Sequence, residues 1–308
     1  MKIVIVGSGA MGCLFAAGLV KTKEEIWILD KNAQSARALN QNGILVEGST
    51  TTKIPIKASA NIQEIGLVDL AIICVKSFHT KQAIIQLKPA ITKNSKILTL
   101  QNGIGNIEVI AELLGEDKVI GGSTSEAAIW LDTGKIRHTG KGETVIGMID
   151  GKTPVEMRSI REILNKAGFS TKMSRDIKGL LWSKLIINVG INALSALTGL
   201  PSGKLIEIEA SKKILRESVT EAVRIVKRKR IKLIYDDPLA KVEAVCEATA
   251  ENFSSMLQDV LRKKHTEIDY INGVIVRLGQ ELSIPVPVNT LLVNLIKSKE
   301  ASYAENNQ

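Results

Sequence analysis

The sequence predicts an α/β domain, with a mostly parallel sheet and an antiparallel extension, followed by an all-α domain. Three observations predict this. A glycine-rich turn opens the chain between an apolar strand and a helix. Strands and helices then alternate to about residue 175, and from Ile177 onward the apolar spacing is helical with no convincing strand. The expected domains are 1–175 and 176–308, with the boundary near Ser174 to Lys178.

The first strand is Lys2-Ile3-Val4-Ile5-Val6, the turn Gly7-Ser8-Gly9-Ala10-Met11-Gly12, and the helix follows through Leu14, Phe15, Ala17 and Leu19. In a G-x-G-x-x-G turn the first glycine permits the tight bend, the second lets backbone approach a pyrophosphate, and the third allows close helix–sheet packing. A second strand, Ile26 to Leu29, ends in Asp30, 18 residues beyond Gly12. That is the context a Rossmann dinucleotide domain requires. An acidic residue there accepts hydrogen bonds from the ribose hydroxyls and repels a 2′-phosphate, whereas a cation attracts one. Asp30 and Lys31 supply one of each, and on these residues alone the balance tips to NAD(H).

The alternation continues with a helix over Ala33–Gln41, strands near Ile44–Val46 and Ile54–Ala58, and a buried strand Asp69–Val75. A helix His79–Leu87, a strand Lys96–Leu100, and three strands between Val119 and Met148, read as the antiparallel extension, come next. A helix Pro154–Lys166 and a short strand Ser170–Met173 close the domain. Lys76 follows one strand directly and Gln101-Asn102-Gly103 another. Ligands of open α/β sheets lie beyond the carboxyl ends of strands, so both Lys76 and Asn102 are candidates. Their bland alternatives are a strand-end surface charge and an Asn-Gly turn.

The helical domain is read as Ile177–Thr198, Ser211 to about Arg230, Pro238–Ala250, Glu267–Leu282 and Val288–Lys299. The first of these is apolar nearly all round yet carries Lys184, Asn188 and Asn192 at four-residue steps. Such steps on a 3.6-residue turn keep the three side chains on one slowly drifting face. A helix of this kind belongs inside a protein, where an ammonium and two amides are costly unless satisfied. The stripe should therefore line a wet or ligand-filled cavity, the alternative being a narrow solvated face. Thr266 can cap the helix after it, with Asp269 as the capping-box partner. Glu267 would then be a first-turn acid favoured by the helix dipole.

Composition restricts the classes. With 308 residues and 44% hydrophobic content the chain has the make-up of a two-domain globular protein. No stretch reads as a membrane span, since the apolar helix is interrupted by its own polar residues. The start lacks the architecture of a signal peptide, so the cytoplasm is the expected location. Cys13, Cys74 and Cys246 suit reduced, buried thiols. No metal-ligand spacing is evident among the three scattered histidines, His79, His138 and His265, and no metal is expected. The net charge of +9 invites nucleic acid, a membrane surface or an anionic small molecule. The densest basic run, Lys227 to Lys232, sits at a helix end where it complements the dipole. Aromatic residues are only 3%, too few to support base stacking.

Taken together, several segments are similar to those of the ketopantoate reductase family. They are the opening glycine turn, Val75-Lys76-Ser77, Gln101-Asn102-Gly103-Ile104-Gly105, Trp182-Ser183-Lys184-Leu185 with Asn188 and Asn192, Ser254-Ser255-Met256-Leu257-Gln258-Asp259, and His265-Thr266-Glu267-Ile268-Asp269-Tyr270-Ile271-Asn272-Gly273. The resemblance runs the length of the chain in order. It implies reduction of 2-dehydropantoate to (R)-pantoate with NADPH, in the route to pantothenate and coenzyme A. By motif it implies that Lys184 is the general acid and Glu267 the carboxylate that positions substrate and lysine. Asn102, Asn188, Asn192 and Ser255 would bind substrate. Gly7, Ser8, Gly9, Ala10, Met11, Gly12, Asp30, Lys31, Lys76 and Asn102 would bind the cofactor. The family places a basic residue after the second strand for the 2′-phosphate, which Lys31 can supply, while Asp30 keeps NAD(H) open. The partner implied is a small anionic keto acid, with neither nucleic acid nor membrane, and a homodimer stays open. Two rival readings are a related two-domain dehydrogenase of another 2-keto or 3-hydroxy acid, and a non-catalytic dinucleotide sensor.

Overall fold

A computed structural model describes residues 1–48 and 50–305. Residues 306–308, the last of the second expected domain, lie outside the described residues. The chain divides into two compact units, one of Met1–Gln101 with Gly105–Ile177, the other of Asn102–Ile104 with Lys178–Gln308.

In the first unit β1 (Lys2–Val6), α1 (Ala10–Leu19), β2 (Glu25–Leu29), α2 (Ala33–Asn42), β3 (Ile44–Glu47), β4 (Thr52–Ile54) and β5 (Lys57–Ser59) come first. They are followed by α3 (Ile62–Ile65), β6 (Val68–Ile73), α4 (Thr80–Leu87), β7 (Ile91–Thr99) and α5 (Asn106–Leu114). The unit ends with β8 (Val119–Thr124), β9 (Ala127–Asp132), β10 (Lys135–Gly140), β11 (Thr144–Met148), α6 (Val155–Lys166) and β12 (Thr171–Met173). The main sheet has eight strands in the order β12-β11-β8-β7-β6-β1-β2-β5. Its parallel part, β5-β2-β1-β6-β7-β8, is the doubly wound order whose direction of winding reverses between β1 and β6. Where strands are buried on both faces, as at Ile3–Val6 of β1 and Leu70–Ile73 of β6, they are continuous apolar runs, as a parallel sheet covered by helices demands.

The segment 119–148 differs from the sequence expectation. It forms four strands, not three, and only β8 and β11 pair antiparallel in the main sheet. β9 and β10 leave it to join β3 and β4 in a second sheet, order β4-β3-β10-β9. The break is a corner at Ser125-Glu126 that contains no glycine or proline. Buried Glu126 holds it by accepting from the Gly142 amide (3.3 Å) and pairing with His138 Nε2 (2.7 Å). β8 and β11 are buried on both faces whereas β9 and β10 are only half-covered, which separates the two pairs physically.

The second unit comprises α7 (Ile177–Thr198), α8 (Ser202–Glu207), α9 (Glu209–Arg228), α10 (Pro238–Ala248), α11 (Ser255–Leu261), α12 (Asn272–Leu282) and α13 (Pro287–Glu305). α7 is long and apolar enough to cross a membrane by length and composition, contrary to the sequence expectation that nothing resembles a span. Most of it is buried among the other helices, with Leu185, Ile186 and Val189 almost fully enclosed. A Cβ at Gly190 would lie 2.8 Å from Val219 of α9, so the two helices approach closely there. The basic run 227–232 is split by the end of α9, and Lys227, Arg228, Lys229, Arg230 and Lys232 are all exposed, as a solvated helix end should be.

The helix expected to begin at Glu267 begins instead at Asn272, after a short 3₁₀ turn over Ile268–Tyr270. The expected capping box is not formed. The Thr266 hydroxyl accepts from the Ile268 amide (3.2 Å), two residues on, and Asp269 pairs with Lys297 (2.7 Å). Glu267 is consequently a buried side chain ahead of the turn and not a first-turn surface acid.

Candidate active site

In the first unit the glycine turn is built by collision limits. Gly7 has φ +103°, in the region L side chains rarely adopt, and its amide donates to Leu29 O (2.9 Å). A Cβ on Gly12 would stand 1.9 Å from Gly7 O, so helix α1 can start against the strand only without one. Gly9 is different. A Cβ there meets nothing within 4 Å, so the space in front of it is open at the amino end of α1. Open space beside a helix start whose first amides lack intrahelical partners suits a pyrophosphate.

Asp30 is committed to this turn. One carboxylate oxygen accepts from the Ser8 amide (3.1 Å) and from the Ser8 hydroxyl, and the other from the Asn32 amide (2.8 Å). Asn32 in turn caps α2. Lys31 is exposed and its ammonium lies 3.2 Å from His79 Nε2, a neighbour that sequence spacing could not have supplied. Lys76 stands between β6 and the 3₁₀ turn Ser77–His79 and is partly buried. A buried polar network holds the backbone around it. Gln101 Nε2 donates to Val75 O and Thr80 Oγ1 (both 2.8 Å), and Asn106 Nδ2 donates to Ser77 Oγ (3.1 Å).

The second unit holds the remaining candidates. Lys184 and Asn188 on α7 are partly buried and Asn192 is buried. Burial pulls the Lys184 ammonium down to about 8, while the neighbouring Glu267 carboxylate, only 5% exposed, works in the opposite direction. The structure thus brings together the lysine and the glutamate that lie 83 residues apart in sequence. Ser183, beside the lysine, accepts from the Ile234 amide (2.9 Å), and its carbonyl accepts from Tyr235 Oη (2.7 Å), which locks this turn of α7. Asn102 belongs to this unit, through Ile104, whose amide donates to Tyr270 O (3.0 Å). Gly103, φ +82°, leaves room for the contact, since a Cβ would stand 2.4 Å from that same oxygen. Ser255 is exposed on the first turn of α11. The buried hydroxyl is that of Ser254, which accepts from the Leu257 amide (3.0 Å) and donates to Asn192 O (3.4 Å). Ser254 was legible as a helix cap, three residues before Leu257, but its tie to Asn192 was not. Among the described residues no group of three or more His, Cys, Asp or Glu side chains could hold a metal.

A strand–glycine turn–helix at the reversal point of a parallel sheet, with a helical unit pairing a lysine and a buried glutamate, is the build of a dinucleotide-dependent oxidoreductase. The model of the family described as "Ketopantoate reductase PanE/ApbA" matches residues 3–151, and that of its C-terminal part residues 176–300. A 2-dehydropantoate 2-reductase of Pyrococcus horikoshii is 35% identical over 301 residues, covering 98% of each chain. The crystal structure of a PanE/ApbA family ketopantoate reductase from Ralstonia eutropha superposes with a TM-score of 0.90 at 33% identity, over 98% of this chain and 99% of that one. A D-mandelate dehydrogenase solved with NADH gives a TM-score of 0.89 at 25% identity, over 98% and 99%. The chain belongs to the ketopantoate reductase family, a family of NAD(P)H-dependent oxidoreductases.

The two glycines separate packing from ligand access. Gly12→Ala should cost about 1–3 kcal/mol in denaturant unfolding, the usual penalty of overpacking. Gly9→Ala, at a backbone conformation open to alanine, should leave stability unchanged or slightly raised yet weaken NAD(P)H binding measured by fluorescence titration.

Proposed function

We propose that the protein reduces the C2 ketone of 2-dehydropantoate to (R)-pantoate, with Lys184 as proton donor, Glu267 as the carboxylate that keeps it charged and placed, and NADPH as the preferred cofactor. The observation that carries the proposal is Lys184 itself, a partly buried ammonium beside buried Glu267 on a helix face that also bears Asn188 and Asn192.

When bound, the reduced nicotinamide supplies the hydride. The ketone oxygen then gains negative charge, which the Lys184 ammonium stabilises and to which it gives its proton, ending as a neutral amine. An ordinary lysine near 10.5 holds that proton too firmly. Lowered to about 8, Lys184 stays mostly protonated at neutral pH and is a better acid. Removing Glu267 would lower it further and leave much of it without a proton to give. Asn102, Asn188, Asn192 and Ser255 are assigned to the substrate, because amides and a hydroxyl donate to a carboxylate without titrating. The open space at Gly9 and the amides at the start of α1 fit the pyrophosphate, with Gly7, Ser8, Ala10, Met11 and Gly12 completing the turn. Lys76 is assigned to the cofactor side.

The preference for NADPH follows from how Asp30 is used. One of its oxygens already takes two donors from Ser8 and the other takes the Asn32 amide. Little acceptor capacity is left for ribose hydroxyls, and three donors offset its charge toward a 2′-phosphate. Lys31, with His79 beside it, supplies the cation. The likeness to D-mandelate dehydrogenase supports one alternative, a different 2-keto acid as substrate. Oxidation of NADPH with a panel of 2-keto acids tests the substrate, and 2-dehydropantoate should give the highest kcat/KM by far.

Lys184→Ala should lower kcat by about 10²–10⁴-fold, and unchanged turnover would defeat the assignment. For the wild type, kcat of reduction should be level below and fall above about pH 8 as Lys184 loses its proton. In Glu267→Gln the fall should begin at lower pH. Because the folded-state value lies below the unfolded one, the unfolded chain binds more protons between about 8 and 10.5, and stability should rise across that window. Lys184→Met should abolish that rise. Lys31→Ala should reduce kcat/KM for NADPH at least about tenfold, on the scale of one lost charge-assisted contact, with little change for NADH. Equal losses with both cofactors would remove the phosphate role.

A further inference from the structure

We propose that the last helix, α13, is the positioning element for the Glu267 carboxylate, holding the segment 265–272 at both ends through Glu300 and Asn289. The proposal rests on Lys184 and Glu267 being the reacting pair.

Glu267 precedes a 3₁₀ turn, and its own element offers no regular helix to fix it. At the near end, Glu300 Oε1 accepts from the Thr266 amide (2.8 Å), one residue before Glu267, while Oε2 pairs with His265 Nδ1 (2.5 Å). The Glu300 side chain is only 9% exposed, so this charge-assisted bond to backbone is sheltered from water. At the far end, Asn272 is fully buried. Its amide group donates both to Asn289 Oδ1 (3.0 Å) and to Val189 O (3.1 Å) of α7, the helix that carries Lys184. Asn289 cannot drift, because Glu221 accepts from its backbone amide (2.9 Å) and its side chain (2.7 Å), and from the Val288 amide (2.9 Å).

Asn289 and Glu300 are eleven residues apart, which on an α-helix returns to within about 20° of the same face some 16 Å along the axis. One straight element therefore spans the segment from end to end. A third contact, Lys297 with Asp269, joins two side chains that are each about half exposed, and it adds little by comparison. With 266 and 272 both held, the turn that carries Glu267 is anchored on each side, at the far end to α7 itself.

The test is kcat, its alkaline pH limb and the thermal midpoint, measured together on the full chain. Glu300→Ala should lower kcat by about 10- to 100-fold, the cost of a small misplacement, with KM for the keto acid changed far less. The alkaline limb should move to lower pH, as Lys184 loses the carboxylate that supports its charge. Glu300→Gln keeps an acceptor for the Thr266 amide and should restore both readouts, and His265→Ala should leave both near wild type. Asn272→Ser cuts the other anchor and should give the same two changes, deciding the matter if Glu300→Ala does not fold. A lower thermal midpoint with kcat and limb unmoved, in both variants, overturns the proposal. Glu267→Gln measured alongside separates the two levels: if it too leaves the limb unmoved, the Lys184–Glu267 pairing itself is wrong. If it moves the limb while the anchor variants do not, only the role of α13 falls.

Discussion

An ammonium group held partly out of water on an apolar helix is the constraint around which the helical unit is arranged. Lys184 cannot be solvated fully where α7 puts it, and burial pulls its ammonium down to about 8. The negative charge of Glu267, itself buried, counters this. A buried carboxylate is costly in its own right. The surrounding secondary structure reflects that pairing: the chain breaks helical pattern at 267, turns through 268–270, and starts α12 only when Asn272 has reached the backbone of α7.

The dinucleotide unit obeys a different limit, which is steric. Its turn closes at two positions that tolerate no Cβ, through a left-handed φ at Gly7 and contact with a carbonyl at Gly12, and leaves clear space at Gly9. Asp30, which sequence logic cast as a ligand of the ribose, is engaged in bracing Ser8 and Asn32. A carboxylate with several donors in place acts as a structural brace. Beside it, Lys31 has His79, from the far side of the β1–β6 reversal, as its neighbour.

Charge and hydropathy taken as averages pointed to less than their placement did. The +9 net charge includes a dense basic run that is spread over the exposed end of α9 and the loop after it. The most apolar helix is long and apolar enough to cross a membrane and is nonetheless mostly buried, because it shares one apolar core with the other helices, with α9 and α10 packed against it at Gly190.

Local patterns were readable because their physics is local. Periodicity located α7 to the residue, glycine spacing located the dinucleotide turn, and the Lys184–Asn188–Asn192 stripe could be recognised as an anomaly within one helix. Family likeness in ordered motifs added the chemistry. What depends on partners distant in the chain was not readable. The corner at Ser125-Glu126 is held by His138 and Gly142, and the helix at 267 starts late because Thr266 and Asn272 are claimed by Glu300 and Val189. Asp30 and Asn192 likewise have their contacts set by Ser8 and Ser254. A residue's propensities and spacing are properties of the chain, whereas its burial and hydrogen-bond partners exist only once elements far apart in sequence have packed. Sequence by itself therefore determined which residues are candidates for the chemistry, and tertiary structure decided how each is held and which of them are buried, committed or exposed.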